Sequence, residues 1–143
     1  MSVLYRPDPV IAGVELLLAA VLPDKVGGRD LAIEVDAAQW TIPQVTIEQV
    51  GGPTPTSIHF GGHDWSVLTL QMSSIGADRR QARLIGDHVR EAVTGQDRRG
   101  RPLHPLTVPG TAVLETRSQN DGHIAQDNPA KWVETFDIRY QGA

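Results

Sequence analysis

No cysteine occurs anywhere in the 143 residues. That excludes a disulfide framework and any thiolate metal site. It fits a reducing cytoplasm without requiring one. Aromatic residues are scarce, at 5%, so the few present must carry much of the core's anchoring. Neither sign of charge dominates: the formal net charge is −4 and the pI about 5.6. Nothing global therefore draws the chain to nucleic acid or to a membrane surface. There is no long apolar run. The stretch Val10 to Leu22 carries Glu15 and is too short to span a bilayer. The segment Met1 to Pro7 does not read as a signal peptide. What remains, 40% hydrophobic and 21% charged, is the composition of an ordinary soluble domain. The length predicts a single domain, 1–143, able to bury a core without staples.

Chemical motifs are also missing. The chain has no Gly-x-Ser-x-Gly elbow, no Walker loop and no His-Glu-x-x-His. Gly51-Gly52 and Gly61-Gly62 lack the strand-to-helix context of a phosphate cradle. Five histidines are present: His59, His63, His88, His104 and His123. His59 and His63 are close in sequence, but strand and turn spacing does not put them on one helical face, and no third ligand is near. They read as surface histidines rather than a metal site. His88 falls within an apolar helix stripe, where a hydrogen-bonded structural histidine is the commoner outcome. Glu115 and Asp137 lie on late strands and can approach each other, yet carboxylates on sheet faces are usually solvated. The expectation is a protein that is not an enzyme, with no catalytic residue, no cofactor and no metal.

The strongest positive signal is the run Lys131 to Tyr140. Trp132, Phe136, Ile138 and Tyr140 share one parity, while Lys131, Thr135, Asp137 and Arg139 share the other. That is the period-2 pattern of a strand with one apolar and one wet face. Glu134 is the exception on the apolar side. This strand is expected to close the fold.

A first helix is well marked. Asp8 suits the N-cap and Pro9 the first helical position. Val10, Val14, Leu17, Leu18 and Val21 recur at helical spacing until Pro23. Ile11, Leu16 and Leu22 widen the stripe, so the helix is either deeply buried or a subunit contact. Leu31, Ile33 and Val35 alternate as a strand, as do Val45 and Ile47. Gly51 to Thr56 reads as a turn or exposed loop. Ser57 to Phe60 reads as a short strand, and Gly61 to Asp64 as a hairpin connection into a β-rich run from Trp65 to Met72. A second helix is predicted from about Asp78 to Val93, with Gly95 as its C′ residue. Leu84, Ile85, His88, Val89 and Ala92 form its expected core stripe. Thr111 to Arg117 is a strand candidate, and Ser118 to Pro129 a polar loop. The order predicts an α+β fold: a mostly antiparallel sheet of about four to six strands, with two main helices packed on one face.

Arginines cluster twice. Arg79, Arg80, Arg83 and Arg90 decorate the second helix; Arg98, Arg99 and Arg101 decorate the loop after it. They suit phosphates or an acidic protein surface. Acids at Asp78, Asp87, Glu91 and Asp97 dilute the field, and no aromatics interleave for base stacking. Solvated or protein-partner uses are therefore favoured over nucleic acid. Arg98, Arg99 and Arg101, with Arg139 on the wet face of the last strand, are the candidate partner-interface residues.

The helix Asp8 to Leu22 ending in Leu-Pro, the early β-meander, the helix Arg79 to Val93 ending in Thr94-Gly95, and the strand Trp132 to Tyr140 together resemble the tail terminator (tail-completion) proteins of long-tailed bacteriophages. The resemblance covers most of the chain as an order of elements. It implies a structural virion protein without catalytic residues, forming a homo-oligomeric ring, a hexamer in that family. Such a ring caps the tail tube, stops its polymerisation and joins it to the head connector. The implied partners are the tail tube protein and the head–tail connector protein. The resemblance places the ring in the virion at the head–tail junction after assembly in the host cytoplasm, with DNA passing through it without sequence-specific binding and no membrane involved. The loops Gly51 to Thr56 and Ser118 to Pro129 match no family feature and leave a neighbouring head–tail connector or stopper role open. A small ligand-binding or enzymatic α+β domain is the competing class.

Overall fold

In the computed structural model, the described residues are 8–57, 64–119 and 122–142. The elements in chain order are α1 (Asp8–Val21), β1 (Lys25–Val26), β2 (Arg29–Asp30), β3 (Ala32–Val35), β4 (Gln44–Ser57), β5 (Asp64–Gly76), α2 (Arg79–Thr94), β6 (Thr111–Ser118), β7 (His123–Asp127) and β8 (Ala130–Gly142). This is the α+β architecture the sequence predicts. Six strands form one sheet in the order β3-β4-β5-β8-β6, with β7 also on β8, and β1 and β2 make a separate hairpin. Every pairing in the large sheet is antiparallel except β3 with β4.

β8 is the sheet's axis. It pairs with β5 from Gly76↔Ala130 to Ser66↔Tyr140, with β6 along its second half, and with β7 along its first. Its parity is as predicted: Phe136, Ile138 and Tyr140 are buried on the helix-covered face. They meet Val45, Ile47, Leu68, Leu70 and Met72 of the neighbouring strands. Val10, Val14 and Leu18 of α1 and Ile85, Val89 and Ala92 of α2 close the core from above. α1 lies over β3 and against α2, whereas α2 spans β5, β8, β6 and β7.

Four local readings change. The Gly51–Thr56 run is not a loop but the second half of β4. Register shifts between Gln49 and Gly51 and between Gly51 and Thr54 absorb the Gly-Gly-Pro sequence as bulges. Gly52 takes φ +79, and a Cβ there would come within 2.3 Å of the Val67 carbonyl oxygen, so only glycine fits. Pro53 and Pro55 are tolerated because β3 pairs with β4 only as far as Ile47, which leaves their edge without a ladder to break. The hairpin tip is bracketed by the pair Ser57↔Asp64; residues 58–63, with His59, His63 and the rest of the predicted short strand, lie outside the described residues.

In α2 the exposed position is Leu84, half exposed, while Ala82, Gly86 and Val93 join the buried side. The stripe is rotated because Gly86 must face the Trp132 indole: a Cβ on Gly86 would fall 2.2 Å from its Cδ1. Asp78 caps the helix, accepting the Gln81 N–H at 2.8 Å. Gly95 is the C-cap rather than a left-handed C′ residue. Its backbone is extended (φ −60, ψ 139) and donates to the Glu91 carbonyl, which a Cβ would approach to 2.4 Å. Finally, the polar stretch Ser118 to Pro129 contains β7, an edge strand with alternating exposure.

Candidate functional site

The loop after α2 is a closed hairpin, not a slack connector. Gln96 and Pro102 form a bridge. The Asp97 N–H donates to the Arg101 carbonyl at 2.8 Å, and the Gly100 N–H to the Asp97 carbonyl at 3.1 Å. Asp97 Oδ1 accepts the backbone N–H groups of Arg99 (2.8 Å) and Arg101 (2.9 Å). This is an Asx-type turn, with Gly100 supplying the left-handed residue at φ +78. The one acidic side chain of the loop is thereby turned onto its backbone. Arg98, Arg99 and Arg101 are exposed, and none forms an ion pair among the described residues.

The hairpin sits at the β6 edge. The Leu103 N–H donates to the Gly95 carbonyl at 2.9 Å, and Thr116 Oγ1 donates to the Val93 carbonyl at 2.7 Å. A shallow groove runs between Val93–Gln96, Pro102 and Leu114–Thr116. Leu114 is the bulged residue of β6, skipped between the pairs Val113↔Tyr140 and Glu115↔Arg139. The bulge turns its side chain outward, 42% exposed, and Leu103, at the hairpin's end, is likewise 45% exposed.

Arg139 lies one strand inward, on the face without helices. Its guanidinium stacks 5.6 Å from the Trp65 ring, and Nη1 lies 3.6 Å from Glu115 Oε2. Asp137 accepts from Thr69 Oγ1 at 2.7 Å and, more weakly, from Gln119 Nε2. Glu115 and Asp137 do share a hollow, lined also by Val67, Arg117 and Arg139. Its volume of about 50 Å³ holds little more than a water, and its charges are mostly answered from within. Arg139 thus belongs to a local network, whereas the three hairpin arginines do not. Glu115 borders both features, but the three hairpin arginines share one loop beyond the β6 edge while Arg139 stands apart on β8.

A wider cleft lies between the helices, with Ala20 and Val21 of α1, His88 and Glu91 of α2, and His104 around it. Among the described residues no group of three or more His, Asp or Glu side chains is placed to hold a metal ion. No described helix is long and apolar enough to cross a membrane.

Among the described residues the buried charge is Glu134. Its side chain is 4% exposed beneath α2. Oε2 accepts from Arg90 Nε at 2.8 Å and from Ser118 Oγ at 2.6 Å. The sequence shows Glu134 as a break in apolar parity but does not show its partner, because Arg90 lies 44 positions away. The arrangement ties α2 to β8 and β6.

The fold is similar, over 95% of this chain and 87% of the other, to the structure of the gp17 protein of bacteriophage SPP1. The sequence identity is 18% and the TM-score 0.45. A likeness this loose decides nothing about what the chain does. No protein-family model matches the chain, and no characterised protein matches it by sequence.

Proposed function

We propose that the protein is a structural subunit of a bacteriophage virion, the tail terminator, which assembles into a ring that caps the tail tube and joins it to the head connector. The observation that carries this reading is the outward face of α1. Val10, Val14 and Leu18 are spent on the core, yet the opposite side presents Ala12, Leu16, Ala19 and Ala20, with Leu16 71% exposed and charge only at Asp8 and the half-buried Glu15, before the last turns. A surface helix of a monomer turns charge to water on that side. Here the last turns offer none. Together with the order of elements, this supports a helix face covered by another subunit. The reading takes nothing from the likeness to the phage SPP1 protein.

A catalytic role has no support of comparable kind. The small hollow on the sheet is neutralised from within, and among the described residues the polar groups of the inter-helix cleft, His88, Glu91 and His104, are not placed to hold a metal ion. The reading assigns no catalytic residue, cofactor or metal.

The test is native mass. Light scattering after size exclusion should give a mass several times 15.5 kDa for the native chain, and Leu16→Glu should reduce it while leaving the circular dichroism spectrum unchanged. Added to a polymerising tail tube protein, the native chain should stop tube growth. A strict monomer at high concentration that leaves tube growth unaffected overturns the proposal.

A further inference from the structure

The two edges of the sheet carry opposite, unanswered charge. At the β6 edge the rigid hairpin presents Arg98, Arg99 and Arg101 beside exposed Leu103 and Leu114. At the β3 edge Asp24, Asp30, Glu34 and Asp36 are all exposed, against Lys25 and Arg29. None of these four acids forms an ion pair among the described residues. They lie next to the end of α1: Ala19, Leu22, Pro23 and Asp24 border the same hollow as Leu31 and Ile33.

We infer that these two edges bind each other between copies of this chain, the arginine hairpin of one subunit seating against the acidic β1–β3 edge of the next. The inference rests on the ring reading above and names the contact. Four strand spacings separate β3 from β6, about 19 Å at about 4.8 Å each. That is roughly two Debye lengths at 0.1 M salt, so the patches cannot answer each other within one subunit. Each has the anatomy of an interface half, exposed apolar residues with a charged rim. On one side these are Leu103 and Leu114 with arginines, on the other the α1 face with carboxylates. Patches that differ and lie on opposite edges make a head-to-tail contact, the type that closes into rings. Arginine on a pre-ordered turn suits carboxylate recognition, since its fork loses little freedom on binding.

A nucleic-acid track fits less well. Arg29 sits among the acids of the opposite edge, and Arg117 lies on β6 beside Asp137 and Glu115; the remaining exposed arginines, Arg79, Arg80 and Arg83, lie at the far end of α2. Its 16 residues span about 24 Å, and exposed Asp87 and Glu91 stand between. Arg79 is moreover paired with Asp127.

Two charge-reversed chains test the contact: one with Arg98→Glu, Arg99→Glu and Arg101→Glu, the other with Asp24→Lys, Asp30→Lys and Glu34→Lys. All six positions are exposed, so both variants should melt near the native temperature. Each alone should sediment as a monomer at concentrations where the native chain associates, with at least a tenfold weaker association constant. Mixed in equal amounts they should regain the native mass, because every contact then pairs unlike edges. Native association should also weaken as salt is raised. If both variants alone keep the native mass, or if the mixture fails to recover it, this inference is wrong while the ring stands. If the native chain never associates, the ring reading falls and the inference with it. If the arginine variant keeps its mass but loses salt-sensitive binding to a duplex DNA oligomer, the hairpin is a phosphate contact and the proposal is overturned.

Discussion

Replacing Arg90 by methionine should destabilise the protein far more than replacing Glu134 by methionine, although the two form one ion pair. Glu134 is 4% exposed and Arg90 is 40% exposed. The attraction itself is worth little, because water reaches the guanidinium; a partly exposed pair contributes about 1 kcal/mol. The larger quantity is the carboxylate left behind beneath α2. An uncompensated buried charge costs about 3–5 kcal/mol. The Ser118 hydroxyl, which still donates to Oε2, and the water admitted by the lost arginine place the expected loss near the lower figure, about 3 kcal/mol. That is a large share of a total stability of about 5–15 kcal/mol. Glu134→Met strands nothing comparable, since Arg90 can turn its head to solvent along an apolar stem. It should cost about 1 kcal/mol. The double variant puts one apolar side chain where the apolar parity of β8 asks for it and faces it with another from α2, so it should lie within about 1 kcal/mol of the native chain or above it. Urea unfolding of the four chains at a common m-value measures all of this. An Arg90→Met cost below about 1 kcal/mol, or a double variant no more stable than Arg90→Met alone, refutes the claim that Glu134 is the buried charge that matters.

Phe136→Ala, which empties a fully buried site, should cost about 3–5 kcal/mol. Thr135→Ala and Arg139→Ala, on the opposite face, should each cost under about 1 kcal/mol by thermal unfolding, and equal losses would mean the faces are reversed. Gly86→Ala raises helix propensity by about 1 kcal/mol but drives a methyl into Trp132. The overpacking should win, for a net loss of about 1–2 kcal/mol, and a stabilised variant would place the indole elsewhere. Burial pushes the Tyr140 hydroxyl pKa above its ordinary value, partly opposed by a hydrogen bond with Ser66. The native state therefore keeps its proton to higher pH than the unfolded chain. This contribution is whole below about pH 10 and is lost as pH rises through the native value. Tyr140→Phe should cost about 1 kcal/mol at neutral pH and flatten the decline of stability above about pH 10. Parallel declines for both chains would show that another group is responsible.

The elements legible in the sequence were those whose pattern is local. The β8 parity, the Asp8-Pro9 start of α1 and the Asp78 cap of α2 all rest on residues a few positions apart. The misread elements were decided by distant partners. Gly51 to Thr56 carries every local mark of a loop, but β5 lies alongside and bulges at the glycines keep the pairing. Leu84 has the helical spacing of a core residue; the stripe is set instead by Trp132, which demands Gly86 beneath it. β7 was hidden because an edge strand on β8 needs little hydrophobicity of its own. The candidate site was legible in part. Arg98, Arg99 and Arg101 stand out as a basic loop, but its rigidity depends on Asp97, which composition alone counts as a diluting charge. The period-2 pattern of β8 places Arg139 on the outer face, whereas its contacts with Trp65 and Glu115 depend on the sheet order.

The proposed assembly role would account for features that cost an isolated subunit stability. Three arginines within four residues repel one another, and Asp97 is spent on their backbone rather than on their charge. Four carboxylates crowd the β1–β3 edge with only Lys25 and Arg29 among them. Leu16 holds an apolar side chain in water at the middle of α1. A monomer gains nothing from any of these. A head-to-tail contact offsets all three at once, because the exposed apolar residues of each edge supply its centre and the unlike charges its rim. In the proposed contact the electrostatic part would also set orientation: like edges repel, so subunits would meet in one direction only. A one-directional contact with a fixed rotation closes after a definite number of copies or grows as a helix. Closure after six needs a turn of about 60° per subunit. The pre-ordered hairpin suits that demand better than a flexible basic tail, since a tail would bind the acidic edge at many angles and leave the number of subunits open.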